Sequence, residues 1–456
     1  MADRLVLIQG DRASNRQNLD QLRSIRRSHP DLSLALVRRR VAWWQWDLAE
    51  LRSLVDFLLL VDPTDTERAV KSVLDLARRH RVDGILTVNE DCLEAASEVA
   101  GRLDLPGCRL EVVRRCRDKW ALCESLQRAG VPVPRCRRVE SCEQALASAK
   151  EIGWPVVLKP RDMAASIGVI RCRDERELRR HYAICRTARW GGARHDDILV
   201  QEHLAGQTVA ANALLSDGAF RWVCHSEKRT TLAPFFLTLE DTMKQEAGGA
   251  EIADRTRQAA SAAGIDHGVV HVEMVSSPRG LLVLEVTPRM GGGFVGPMVE
   301  AHLGLDLLAA SVDLALGHEP SRAADAPTRA VVGRYQMARR EGRIARLALG
   351  SPDALPPPCS VDWCKSLGDT VGLPPRDYFP ALGFIVAAGA TLEEARRRLE
   401  VCERAIEVSI RPAAHPAALL ALGRRLATDP FRSRLRSWLR DPSLPPSSGP
   451  GPVPPQ

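Results

Sequence analysis

Short apolar runs alternate with segments whose apolar residues recur at helical spacing over the first hundred positions. RLVLIQG at 4–10 and LSLALV at 32–37 read as strands, with a polar, helical segment between them. From Thr64 to His80, Leu, Val and Ala return every three or four residues. GILTVNE at 84–90 follows as a strand ending in polar residues, and DCLEAASEVAGRL as a helix. Strands and helices alternating at these lengths predict an open parallel α/β domain over 1–110. No GxGxxG follows the first strand, so the dinucleotide fingerprint is absent. The bulky WWQW at 43–46 suits interface packing, with a substrate-pocket wall as the alternative.

The period then changes. Around Arg115–Gly130 a helix is expected to start with an Asp-Lys pair and to carry Trp120, Leu122 and Leu126, with VPVPRC breaking it. Short β segments follow: PVVLKP at 155–160, SIGVIRC at 166–172 and DILVQEHLAG at 197–206. TVAANALLSDGAFRWVCHSEK alternates as a hairpin turning at SDG, 216–218. A helix over Ile252–Ala263 precedes VVHVEMVSSPRGLLVLEVTPRMGGG at 269–293, two hairpin-linked strands running into a glycine series. One helix is expected from Val295 to Leu316. Residues 111–327 are thus expected to form the core. A small C-terminal α/β domain over 328–411 is expected from VVGRYQM, GRIARLAL and ALGFIVAAG, with the helix TLEEARRRLEVCERAIEV capped by Thr391. A helical extension over 412–440 and a Pro-rich disordered tail over 441–456 complete the expectation.

Length and composition narrow the class. A chain of 456 residues, 45% apolar, is expected to hold two to four globular domains. The net charge of +7 is spread along the chain without a basic tract interleaved with aromatics, which argues against nucleic-acid binding. No stretch reaches the roughly 20 apolar residues of a spanning helix, so no membrane role is expected. MADRLVLIQG lacks a basic leader, and the twelve cysteines lack CxxC or metal-site spacing. A cytoplasmic protein with reduced thiols is the expectation.

The strongest chemical signal lies in the 269–293 segment. Glu273 and Glu285 each stand in a short apolar strand, where an unpaired buried charge is costly. Together they suit a hard divalent cation and its phosphate ligands, with outward-facing acids on an edge strand as the alternative. Arg289 offers a bidentate guanidinium, and Gly291, Gly292 and Gly293 permit close approach of a ligand. Upstream, Lys159 ends the apolar strand PVVLK. In RDMAASIGVI, Ser166 and Gly168 suit a phosphate-covering loop, though an ordinary hairpin turn fits the same residues. There is no GxxxxGKS/T. Gln201 and Glu202 at a strand end suit an adenine edge. His271 shares a strand face with Glu273 and reads as a packed or hydrogen-bonded core histidine, with a metal ligand as the alternative. In HSEKR, His225, Glu227, Lys228 and Arg229 are candidate substrate contacts or a solvated charge cluster.

The order RDKWALCESLQRAGVPVP, PVVLKP, SIGV, LVQEHLAGQ, HVEM and LEVTPRMGGG resembles the ATP-grasp superfamily, and within it the carboxylate–amine ligases that join amino acids. The resemblance spans about residues 80–410. It implies an ATP-grasp fold of the α/β (α+β multidomain) class, with a pre-grasp domain before the core and a lid-like domain after it. Lys119 and Lys159 then match the nucleotide-contacting lysines, and Ser166 and Gly168 the phosphate loop. Gln201, Glu202 and Leu204 match the adenine hinge, while Gln207 stands where a ribose-binding Glu is usual. Glu273 and Glu285 match the Mg²⁺ ligands, with Mn²⁺ able to substitute, and Thr287 stands where Asn is usual. Arg289 matches the arginine that stabilises the transferring phosphate, and Gly292 and Gly293 fall beside the substrate.

The implied reaction activates a carboxylate as an acyl phosphate at the expense of ATP; an amine then displaces phosphate. Lys159 and Arg289 would carry the catalytic electrostatics. The expected partners are small-molecule carboxylate and amine substrates, and a homodimer is allowed. The alternatives are a biotin-carboxylase-like or nucleotide-precursor enzyme, or a degenerate ATP-binding regulatory protein that Gln207 and Thr287 keep open. The Trp cluster, HSEKR and TLAPFFL at 231–237 are the segments expected to shape the substrate pockets.

Overall fold

The computed structural model describes residues 3–10, 15–39, 48–188, 195–231, 233–244, 249–320, 329–350 and 358–412. The WWQW segment, the 412–440 extension beyond its first residue and the Pro-rich tail therefore lie outside the described residues.

The N-terminal pattern folds as expected, with one strand more. β1 (Arg4–Gln9), α1 (Asn15–Ser28), β2 (Ser33–Arg38), α2 (Leu48–Leu54), β3 (Phe57–Leu60), α3 (Thr66–Ala77), β4 (Gly84–Leu86) and α4 (Leu93–Arg102) form a parallel sheet of order β3-β2-β1-β4 with its helices. Every residue of β1 after Arg4 is buried, which is why its apolar run is continuous rather than alternating. A 3-10 turn at Glu90–Cys92 joins β4 to α4.

The helix expected around Arg115–Gly130 is α6 (Lys119–Arg128), starting at the expected Asp-Lys pair, and a separate helix, α5 (Leu110–Arg117), precedes it. Asp118 separates them. Its backbone is extended, and its carboxylate accepts from the Trp120 and Ala121 amides at 3.0 and 3.2 Å, capping α6. β5 (Cys136–Val139), α7 (Cys142–Ile152), β6 (Val156–Pro160), β7 (Ile170–Cys172), α8 (Glu175–Thr187) and β8 (Ile198–Glu202) follow, with an antiparallel sheet of order β5-β8-β6-β7. SIGVIRC supplies only the three residues of β7; its first half is loop.

The central sheet is built from β9 (Gln207–Ser216), β10 (Ala219–Thr230), β11 (Thr238–Met243), β12 (Gly268–Ser277) and β13 (Gly280–Thr287), with α9 (Ala250–Ala263) between β11 and β12. Asp217 and Gly218, both at positive φ, turn the β9–β10 hairpin at the expected place. The helix expected over Val295–Leu316 is α10 (Val295–Leu303) and α11 (Leu307–Ala315). Gly304 at φ 69° ends the first, and Asp306 caps the second. β14 (Ala330–Met337), β15 (Gly342–Leu349), β16 (Cys359–Trp363), β17 (Thr370–Val371), β18 (Ala381–Gly389), α12 (Leu392–Ala405) and β19 (Ile406–Arg411) complete the described chain.

The strands after residue 328 do not make one sheet of their own. β14, β18 and β16 extend the central sheet, whose order is β13-β12-β9-β10-β11-β14-β18-β16. A separate three-stranded sheet, β17-β15-β19, holds the rest. The helix read to Val408 ends at Ala405, and the β-branched IEV begins β19 instead.

The two faces of the central sheet place the site. Ala211, Ala213, Val270, Val272, Met274 and Val286 pack beneath α5, α6 and α9 through Val112, Leu122, Leu126 and Ala260. On the opposite face Leu214, Met243, Val269 and Val331 pack against Phe294 and Met298 of α10 and its N-terminus. Along this second face the apolar strip gives way to Asn212, His271, Glu273, Ser226 and Asp241. Among the described residues no single helix is long and apolar enough to cross a membrane.

Candidate active site

Glu273 and Glu285 are direct cross-strand partners on β12 and β13, so their side chains share a face. A bulge between Glu273 and Met274 makes this work. Val283 pairs with Met274 and lies in the core, yet Glu285, two residues on, faces the site. In a regular strand both would point the same way. The bulge leaves Leu284 over and turns Glu285 outward.

Each acid meets a lysine. Lys119 Nζ lies 2.9 Å from Glu285 Oε1, and Lys228 Nζ bonds Glu273 Oε1. The lysines are the buried partners at 9% and 10% exposure, whereas the carboxylates keep 26% and 28%. Burial alone would raise the Glu273 carboxyl, but Lys228 and His271 outweigh it and hold it well below the usual carboxylate range. Burial alone would lower the Lys228 ammonium, but Glu273 and Asp241 raise it above its ordinary value. Asp241, opposite Lys228 on β11, is pushed up by burial and accepts from Ser226 Oγ at 3.0 Å. His271 sets Nδ1 3.0 Å from Asn212 Oδ1, the hydrogen-bonded histidine expected there. Thr287, its cross-strand partner, is buried.

Beside the acids lies a small cavity between α6, the β5-β8-β6-β7 sheet and β13. Lys119, Lys159 and Gln201 line it with Leu126, Val133 and Leu284. Lys119 therefore joins the two halves, lining the cavity while bonding Glu285. Lys159 is 7% exposed, and burial lowers its pKa. Lys119 Nζ also donates to the Met163 carbonyl in the next loop. There Ala165 and Ser166 both hold positive φ, at 54° and 57°, a conformation L-residues adopt at a cost of the kind stored at binding loops. Gly168 is explained by packing: a Cβ there would lie 2.7 Å from both Pro160 and Ala188. Phe235 and Leu237 of the TLAPFFL segment pack with Met163 and Ile167, supporting this loop.

Sequence reading missed the clamp that seats Lys119. Arg161 donates from Nε to Asp118 Oδ1 at 2.7 Å and from Nη1 to Asp197 Oδ2 at 3.0 Å, and its carbonyl accepts from the Lys119 amide at 3.0 Å. It also missed Glu90. Arg289 bonds Glu90 Oε2 through Nε at 2.8 Å and Nη2 at 2.7 Å, and donates from Nη1 to the Met290 carbonyl at 2.7 Å. The only signal was a polar ending on a parallel strand, the edge where open α/β sheets bind ligands.

Other candidates fall elsewhere. Strand alternation puts Lys228 with Ser226 on the acid face and turns His225, Glu227 and Arg229 to the other. Glu227 pairs with Lys244 and Arg229 with Glu240; His225 lies beside Trp222. The Glu202 carboxylate is held by Arg279 at 2.7 Å and Arg135 at 3.4 Å, and its amide donates to the Arg135 carbonyl at 2.8 Å. Leu204 is half-buried after β8. The Gln207 amide donates to the Thr208 and Lys228 carbonyls, both at 2.9 Å. Of the glycines, Gly291 packs on His271 and Gly293 on the Tyr335 hydroxyl, whereas Gly292 faces open space.

Residues 152–297 match the ATP-grasp domain, and residues 32–107 the ATP-grasp N-terminal domain. The chain carries ATP-grasp domains. The ATP-grasp fold extends over most of it: an L-amino acid ligase from Bacillus licheniformis superposes with a TM-score of 0.72 at 18% identity, covering 90% of this chain and 99% of that one. Carnosine synthase 1 from Gallus gallus is 30% identical over 61% of this chain, and dapdiamide A synthase from Enterobacter agglomerans 26% over 52%. The matched regions span 32% and 57% of those two relatives.

The donor set fits the ligands that an ATP-grasp site implies. A hard divalent cation takes oxygen donors, and Glu273 and Glu285 present carboxylates that are partly open to the cleft. A triphosphate needs positive groups, and Lys119 and Lys159 line the adjoining cavity.

Proposed function

We propose that the protein is an ATP-dependent ligase that joins a carboxylate, an amino acid or small peptide, to an amine, forming an amide and releasing ADP and phosphate. The observation that carries this reading is the meeting of Lys119, from the cavity it shares with Lys159, with Glu285 of the paired acids, four residues before an Arg289 held by Glu90. The likeness to ligases of amino acids supports it.

Lys119 and Lys159 would hold the triphosphate, and the main chain of the Glu202–Leu204 segment the base. Glu273 and Glu285 would hold Mg²⁺, with Mn²⁺ able to substitute and Thr287 adding a neutral oxygen. Bound there, the metal supplies Lewis-acid neutralisation of phosphoryl charge. Arg289, fixed by Glu90, presents its guanidinium where negative charge grows as the substrate carboxylate takes the phosphoryl group. Lys159 does the same from the nucleotide side; such pre-placed charges require little reorganisation during the reaction. Met163, Ile167, Phe235 and Leu237 back the phosphate loop, which limits water at the acyl phosphate.

The test is a matrix of amino acids and small carboxylates with ATP and Mg²⁺, reading phosphate release together with the mass of each condensed product. Glu285→Ala should abolish both with the fold retained. Phosphate release that requires bicarbonate and gives no amide would favour a carboxylase instead. ATP binding with no phosphate release across the matrix would mark a regulatory protein.

A further inference from the structure

The charged side chains of the site are balanced among themselves. Lys119, Lys159 and Lys228 stand among Glu285, Glu273 and Asp241, and two of the lysines bond the two acids assigned to the metal. We infer that Lys119 and Lys228 are resident counter-cations of the metal-binding carboxylates, so that divalent cations bind this site only together with the nucleotide. The inference rests on the ATP-dependent reading above and adds the linkage between its two ligands.

Access is not the obstacle. Each lysine is hydrogen-bonded to Oε1, and both carboxylates keep about a quarter of their surface open. Charge is. A divalent ion arriving alone must share its carboxylate with an ammonium that has little water to retreat into, since Lys119 and Lys228 are about nine-tenths buried. Unbalanced charge in such surroundings is strongly disfavoured. A triphosphate arriving alone meets carboxylates that neutralise the very lysines it needs. Together the two ligands exchange partners: phosphate oxygens take the lysines, and the cations take the carboxylates. Each carboxylate then faces a cation and each lysine an anion, so charge stays balanced through the exchange.

The test is Mn²⁺ binding to the full chain at pH 8 without nucleotide, read by the electron paramagnetic resonance of free Mn²⁺. The wild type should bind weakly. Lys228→Met should bind about tenfold tighter, because Glu273 then lacks its internal cation, and Lys228→Arg should behave as wild type. Lys119→Met, acting at Glu285, should move in the same direction and serves if Lys228→Met does not fold. Micromolar Mn²⁺ binding by the nucleotide-free wild type would overturn the inference. So would unchanged affinity in whichever lysine-to-methionine variants fold. Binding of β,γ-methylene-ATP with Mn²⁺ is measured in parallel: its absence would sink the ATP reading itself, independently of the Lys228 result.

Discussion

Gly293→Ala separates two reasons for the glycine series after Arg289: the approach of a ligand, or the packing of the chain on itself. Gly293 sits at φ 63°, where an L-residue costs roughly 1–2 kcal/mol. A Cβ there would also fall 1.9 Å from the Tyr335 hydroxyl. That ring cannot swing aside, because it packs on Phe294, Phe379 and Phe384 with centroids 4.7, 5.9 and 6.1 Å away. Overpacking of this kind costs about 1–3 kcal/mol. The total expected for Gly293→Ala is therefore about 2–5 kcal/mol. Tyr335→Phe removes the oxygen and leaves the next contact, Cζ, at 2.9 Å, so the double variant should regain about 1 kcal/mol. Gly292→Ala, with open space around its Cβ, should stay within about 0.5 kcal/mol of wild type. Urea unfolding of the four variants, followed by tryptophan fluorescence and far-UV circular dichroism, measures all of this. Gly293→Ala near wild-type stability, or Tyr335→Phe failing to relieve it, would refute the packing explanation. Loss of turnover in a stable Gly292→Ala would assign that one glycine to the ligand.

Glu90→Gln should leave ATP binding intact and lower turnover by ten- to a hundredfold, because Arg289 loses the charge that fixes it. Equal turnover would show that Arg289 needs no such anchor. Arg161→Ala should cost about 3 kcal/mol, since it leaves Asp118 and Asp197, at 16% and 11% exposure, without their shared cation. It should also weaken nucleotide binding through Lys119. The same variant has a pH signature. Burial would raise Asp118, but Arg161 and the α6 amides hold it below its usual value. Its ionised form therefore contributes stability above the unfolded carboxylate pKa, about 3.9, that is lost as pH falls through the folded value. Unfolding measured between pH 6 and pH 3 should show a shallower acid limb for Arg161→Ala than for wild type.

The sequence carried the parallel N-terminal sheet plainly, because a strand buried on both faces reads as an unbroken apolar run. It carried the β9–β10 turn for a similar reason: Asp-Gly is well suited to two successive positive φ values. The paired acids were legible as outliers among valines and leucines. What stayed hidden depends on contacts far apart in the chain. The bulge beside Glu273 leaves no mark in VVHVEM or LLVLEV, yet it decides that Glu285 and Val283 face opposite ways. Lys228 read no differently from His225, Glu227 and Arg229 until the β10 register set it apart. Glu90 and Arg289 are 199 positions apart. The break between α10 and α11 was misread because Gly304 interrupts apolar spacing that otherwise continues.

The joining of β14 to β11 has a practical consequence for anyone trimming this chain. A fragment ending near residue 327 keeps every lysine, acid and arginine named above, and by function alone looks like a minimal catalytic core. It would nonetheless lay bare the β11 main chain from Glu240 to Met243, which in the intact protein is laddered to Val331–Arg334. An uncapped strand of this kind recruits other chains, so such a fragment should aggregate rather than work.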